Sequence, residues 1–167
     1  MKRTAVKSVI FFLLAACFSS AGASTIDEWK QAVDRDKNNV ISRFNLGLAY
    51  YNELLREPKN ELVNRTIDTM RRVLEMNPSA AEDHAKVDFQ AAQIAGIVYY
   101  NYRQNDKEAI KYFKKASELN PADASNFFFK GLAYLRMNDF DSAINVLEQS
   151  ISKGLSLIHI SEPTRPY

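Results

Sequence analysis

Small and aromatic residues recur along this chain at fixed gaps, and that recurrence restricts the fold more than any single motif does. Gly131, Tyr134, Ala143, Leu147 and Ser150 succeed one another at gaps of 3, 9, 4 and 3 residues. Upstream, Gly96, Tyr99, Ala109, Phe113, Ala116 and Pro121 run at gaps of 3, 10, 4, 3 and 5. Gaps of three and four place side chains on one face of an α-helix. The 167 residues include only 5 glycines and 5 prolines, and the apolar residues keep helical spacing throughout. An all-α chain is expected.

Both runs resemble the tetratricopeptide repeat (TPR), a helix–turn–helix unit of about 34 residues. The resemblance covers about residues 26–154 and implies antiparallel helix pairs stacked as an α-solenoid, because one pair cannot bury its apolar face alone. Glycine and alanine would then mark close helix crossings. Tyr50, Tyr99 and Tyr134 would fill the gap within each pair, and proline would end each second helix. A partial or capping helix is expected over 26–39, with Trp29, Ala32 and Val33 on one face. The distance from Ala32 to Gly47 is 15 residues, as is that from Ala116 to Gly131. Repeats come next at about 40–79, 80–121 and 122–154.

The first repeat places Gly47 and Tyr50 on its first helix and Thr66, Met70 and Val73 on its second, about 61–76, before Pro78. About seven extra residues lie between them, so the run from Leu54 should lengthen the first helix until Pro58 stops it. The second repeat carries about eight extra residues between Pro78 and Gly96, so its first helix should start early, within 80–87. Its second helix is expected over 106–119, capped by Asp106 and ended by Asn120-Pro121. Asp139 should cap the last second helix. The signature is imperfect: Arg43 stands where an aromatic is favoured, Lys130 where leucine is, and Thr66 where alanine is.

The ends read differently. Lys2, Arg3 and Lys7 precede the apolar run 8–18, which is too short to span a bilayer as a mature helix. Ala21-Gly22-Ala23 offers a cleavage site, so residues 1–23 read as a bacterial-type export signal. Leu14-Ala15-Ala16-Cys17 resembles a lipobox, which would instead remove residues 1–16 and lipidate Cys17, the only cysteine. Both readings stand. Neither leaves a pair of cysteines for a disulfide. At the other end, Leu155 to Arg165 (LSLIHISEPTR) lacks helical periodicity and resembles a translated sequencing-library transposon adapter. Residues 155–167 are therefore set aside as an artefact, and the natural reading frame is expected to continue past Gly154.

The chain carries 22 Lys+Arg and 20 Asp+Glu, with a sequence pI near 8.6. Without residues 1–23 and 155–167 the balance is 18 basic to 19 acidic. A near-neutral body gives no support for nucleic-acid binding, and Tyr99-Tyr100-Asn101-Tyr102-Arg103 alone does not supply it. No glycine-rich phosphate loop, metal-ligand spacing or nucleophile constellation occurs, so no cofactor, no metal and no enzymatic activity are expected. His84, between Asp83 and Asp88, reads as a solvated helix residue, and Lys111, Lys114 and Lys115 as a solvated face.

The resemblance implies a ligand groove along the first helices. Its positions are Phe44, Leu48, Tyr51 and Asn52, then Gln93, Ile97, Tyr100 and Asn101, then Phe128, Leu132, Leu135 and Arg136. Tyr51, Tyr100 and Arg136 are expected to be the most exposed. Some family members clamp a peptide's terminal carboxylate with lysine and asparagine. Here Phe44, Gln93 and Phe128 hold the lysine positions and Leu48, Ile97 and Leu132 the asparagine ones, so a carboxylate clamp is not expected. The resulting expectation is a non-enzymatic scaffold of the bacterial cell envelope. It would be periplasmic or lipid-anchored to the periplasmic side of a membrane, and would bind a partner helix or peptide. Two alternatives are the docking region of a larger exported enzyme and a self-associating, homo-oligomeric repeat module.

Overall fold

A computed structural model describes residues 25–76 and 82–161, with side chains over 25–76 and 85–154. Residues 1–24, with Cys17 among them, Pro78 and residues 162–167 lie outside the described residues, as do the side chains of His84 and His159. Among the described residues seven α-helices run in order: α1 (Ile26–Arg35), α2 (Val40–Arg56), α3 (Asn60–Met76), α4 (Glu82–Val98), α5 (Asp106–Leu119), α6 (Ala124–Arg136) and α7 (Phe140–Ser161). No strand occurs among the described residues.

Short polar residues start the helices. Thr25 forms a reciprocal capping box with Glu28, its backbone N–H donating to Glu28 Oε2 at 2.8 Å. Asn39 and Asp123 accept from backbone amides one turn in, and Asp139 accepts from Ser142 N at 3.2 Å as expected. Asp106 does not cap α5. Gln104 adopts a left-handed φ of 52°, which puts Asn105 in the capping position, where its side chain accepts from Glu108 N at 3.2 Å. Asp106 is thus the first helical residue, and its carboxylate is free for a longer-range contact.

Both helix extensions are present. α2 runs on through Arg56 and ends just before Pro58. α4 begins at Glu82 and passes into a π turn over Tyr99–Arg103, closed by Asn105 N–H donating to Tyr99 O at 3.1 Å. π turns of this kind insert one residue into a helix and re-aim the chain beyond it. α7 continues past Gly154 through Ser161. No glycine or proline between Leu155 and Ser161 is there to stop it.

Each helix packs on its chain neighbours, and the first helices α2 and α4 also touch each other. One continuous core holds Phe44, Leu54, Ile67, Met70, Ile97 and Phe113, and a smaller cluster joins Val33 to Leu46, Tyr50 and Trp29. The glycines sit where paired helices cross. A Cβ on Gly47 would lie 2.9 Å from Met70 Cε, one on Gly96 2.7 Å from Phe113 Cε1, and one on Gly131 2.6 Å from Leu147 Cδ2. In every case the obstacle belongs to the second helix of the same pair. Thr66 is fully buried in the place of an alanine, its hydroxyl donating to Leu62 O at 2.7 Å.

Candidate partner-binding face

The expected groove positions divide into two sets. Phe44, Tyr51 and Ile97 are buried in the common core at 5%, 2% and 3% exposure. Gln93 is also buried, its amide donating to Ser125 Oγ at 3.0 Å and to Asn126 Oδ1 at 3.4 Å. These four cannot line an open groove, and Tyr51 is not an exposed aromatic. The reason is geometric. They lie on α2 and α4, which press directly on one another and on their flanking helices. The π turn then brings Tyr102 close to Tyr51. Burial, and secondarily Tyr102, pushes the Tyr51 phenol well above its usual range. Its hydroxyl has no hydrogen-bond partner among the described residues.

The second set stays accessible. Phe128 and Leu135 are 45% and 38% exposed, and Leu132 lies half-buried between them. Residues 128, 132 and 135 share one face of α6 by their spacing. Tyr100 and Asn101 are half-buried on the π turn, and Asn52 and the half-buried Leu48 lie on α2. The accessible surface on α6 is therefore an aromatic and aliphatic stripe, with Tyr100 held at its C-terminal end by Arg136. Phe129, beside Phe128, turns inward and stacks on Phe113 with centroids 5.6 Å apart. Phe129 thereby anchors α6 in the core beneath the exposed stripe.

Arg136 is no free cation. Its Nε donates to Asp106 Oδ1 and Oδ2 at 2.8 and 2.7 Å, and its Nη2 donates to Asp106 Oδ1 and, at 2.9 Å, to Tyr100 O. The guanidinium also lies 4.0 Å from the Tyr100 ring centroid. One side chain thus ties the end of α6 to the start of α5 and to the π turn. Burial raises the Tyr100 phenol pKa, Arg136 opposes that shift and Asp106 adds to it. Sequence reasoning missed Asp106 as a partner. The available signal was the tandem Asn105-Asp106, where only one of two good capping residues can cap.

Lys130, standing in for leucine, extends over the ring of Phe127 at 5.1 Å, and Lys153 lies over the same ring at 4.6 Å. Burial, then Lys114, lowers the Lys130 pKa. Arg43 reaches back to Lys37 O at 2.9 Å, fixing the α1–α2 turn. Lys111 and Lys114 pair with Glu108 and Glu118 on their own helix. Among the described residues no group of three or more His, Cys, Asp or Glu could hold a metal ion.

A family profile described as tetratricopeptide repeat matches residues 98–123 and 124–152. Among solved structures, MamA (MSR-1) is similar at 18% identity and a TM-score of 0.62, covering 78% of this chain and 66% of that one. MamA (AMB-1) is similar at 17% identity and a TM-score of 0.61, covering 83% and 64%. This chain therefore spans about two thirds of the length of those two, and at such identity the likeness is one of fold. No curated protein matches it. Residues 98–152 thus match the tetratricopeptide-repeat profile, and the chain folds as an α-solenoid of tetratricopeptide-repeat type.

Proposed function

We propose that this chain is a non-enzymatic protein-interaction scaffold of the bacterial cell envelope, and that α6 presents its docking stripe. The observation that carries the reading is the exposure of Phe128 and Leu135, with Leu132 between them, on a helix held by the buried Phe129. Rigid apolar anchors edged by polar groups suit a helix or extended peptide with bulky side chains. Arg136, at the end of the stripe, is tied up with Asp106, so recognition there rests on shape and apolar contact. The basic start, apolar run and small-residue site in residues 1–23 support export, and the lipobox at Cys17 supports a lipid anchor.

Peptides selected by display against the full chain test the docking stripe. A selected peptide should bind Phe128→Ala or Leu135→Ala at least tenfold more weakly. Unchanged affinity in both variants would reject the stripe. Membrane fractionation of Cys17→Ser tests the anchor, and unchanged fractionation would reject lipidation.

A further inference from the structure

The tandem Asn105-Asp106 offers α5 two capping residues, and the turn before it can deliver either. In the structure Asn105 caps and Asp106 is the first helical residue. That choice depends on the π turn. Tyr99 O accepts from Gln104 N, and from Asn105 N at 3.1 Å, while Gln104 holds a left-handed φ of 52°. Both features are uncommon, the π turn by its geometry and the φ because Gln104 is not a glycine. An ordinary α turn would close Tyr99 O on the N–H of Arg103 instead. It would consume one residue fewer and pass that residue to the connection. Asp106 would then stand at the cap and Lys107 at the first helical position, with the rest of α5 in place.

What holds the π form comes from other helices. Tyr102 packs on the core beside Tyr51 of α2, Arg103 Nη2 donates to Asn64 Oδ1 of α3, and Arg136 of α6 grips Asp106 and Tyr100 O. Against these ties stands the Tyr51 hydroxyl, buried without a hydrogen-bond partner among the described residues, which favours any state that lets water reach it. Relaxing the π turn rotates Tyr102 by about 100° about the helix axis and lifts it off Tyr51. It also commits the Asp106 carboxylate to the cap and so takes it from Arg136. We propose that the π turn is a two-state latch. Its closed form has the π turn, the Asn105 cap and the Arg136–Asp106 tie. Its open form has an α turn, the Asp106 cap, a hydrated Tyr51 hydroxyl and a released Arg136. Tyr51 and Arg136 are groove positions of the first and third repeats, so one local change in the second repeat uncovers both together. The latch stands whatever docks on α6.

Nitrogen-15 relaxation dispersion on the full chain tests the latch. Asn105→Ala removes the closed-form cap and should raise the open population by about threefold or more, with the amides of 100–106 and Arg136 Nε sharing one exchange rate. Asp106→Glu keeps a carboxylate for Arg136 but is a poor cap, so adding it to Asn105→Ala should cancel the rise. A merely frayed helix end would be made worse by that second change. Nitration by tetranitromethane, mapped by mass spectrometry, gives an independent reading. Tyr51 should react about threefold faster or more in Asn105→Ala than in the unaltered chain, while Tyr50, buried in the smaller cluster on the same helix, keeps its rate. Circular dichroism should show the folded chain in each variant. If Asn105→Ala does not fold, Arg136→Met removes the other closed-form tie and should raise the open population in its place. No exchange in either variant, unlinked rates, a rise that persists in Asn105→Ala with Asp106→Glu, or equal acceleration at Tyr50 and Tyr51 would overturn the proposal.

Discussion

Replacing the crossing glycines by alanine one at a time should sort them by how far the opposing side chain can retreat. In a helix interior, Gly→Ala alone gains about 1 kcal/mol. Overpacking a well-filled core costs about 1–3 kcal/mol. At Gly96 the new Cβ would lie 2.7 and 2.8 Å from two Phe113 ring carbons. That ring is fully buried and stacked on Phe129, so it cannot swing away. The upper end of the cost applies, and Gly96→Ala should lose about 2 kcal/mol net. Gly47 faces Met70 Cε at 2.9 Å, the far end of a flexible side chain, so the two effects should nearly cancel. Gly131 is intermediate: Leu147 Cγ and Cδ2 both lie at 2.6 Å, but Leu147 is only half-buried. Gly154 has nothing within 4 Å and serves as the control, expected to gain the propensity difference. Urea unfolding monitored by far-ultraviolet circular dichroism measures all four. If Gly96→Ala were as stable as Gly47→Ala, the close-crossing argument would be wrong.

Arg136→Met removes the charge-assisted bonds to Asp106 and Tyr100 O and should cost about 1.5–3 kcal/mol, with hydrogen exchange accelerated over 99–105; unchanged exchange there would contradict the clamp. Tyr51→Phe deletes a buried hydroxyl that lacks a partner, so stability at pH 7 should hold or rise by about 1 kcal/mol, and a large loss in urea unfolding would show that the hydroxyl is paired. The raised phenol pKa of Tyr51 means that the folded state holds its proton above pH 10 while the unfolded chain releases it. Stability should therefore fall as pH rises past about 10, by up to about 1.4 kcal/mol per pH unit for this group, and Tyr51→Phe should flatten that slope.

Much of the fold was legible because its determinants are local or periodic. Gly96 and Phe113 announce a helix crossing through the repeat pattern they match, and Pro58 announces where an extended helix must stop. The π turn at Tyr99–Arg103 was not legible, since nothing in YYNYR separates it from an ordinary helix end. Which of the groove positions carried over from the repeat pattern are exposed was not legible: Phe44, Tyr51, Gln93 and Ile97 are buried. Tyr51 and Gln93 sit on helices pressed from several sides, whereas Phe128 does not, and that difference belongs to the stack rather than to any one repeat. The tie from Arg136 to Asp106 spans 30 residues and depends on Asn105 taking the cap. Local reading of either residue could not have found it.

The central claim is that the α6 stripe meets a protein partner, and site-specific photocrosslinking in cells tests it most directly. A photoreactive phenylalanine analogue replaces Phe128 or Leu135 in one strain each, and exposed Lys115 on α5 in a control. The account predicts the same discrete protein adduct from positions 128 and 135, absent from position 115 and lost when Leu132→Glu is added. Adducts identical at all three positions, or none at 128 and 135, would contradict it.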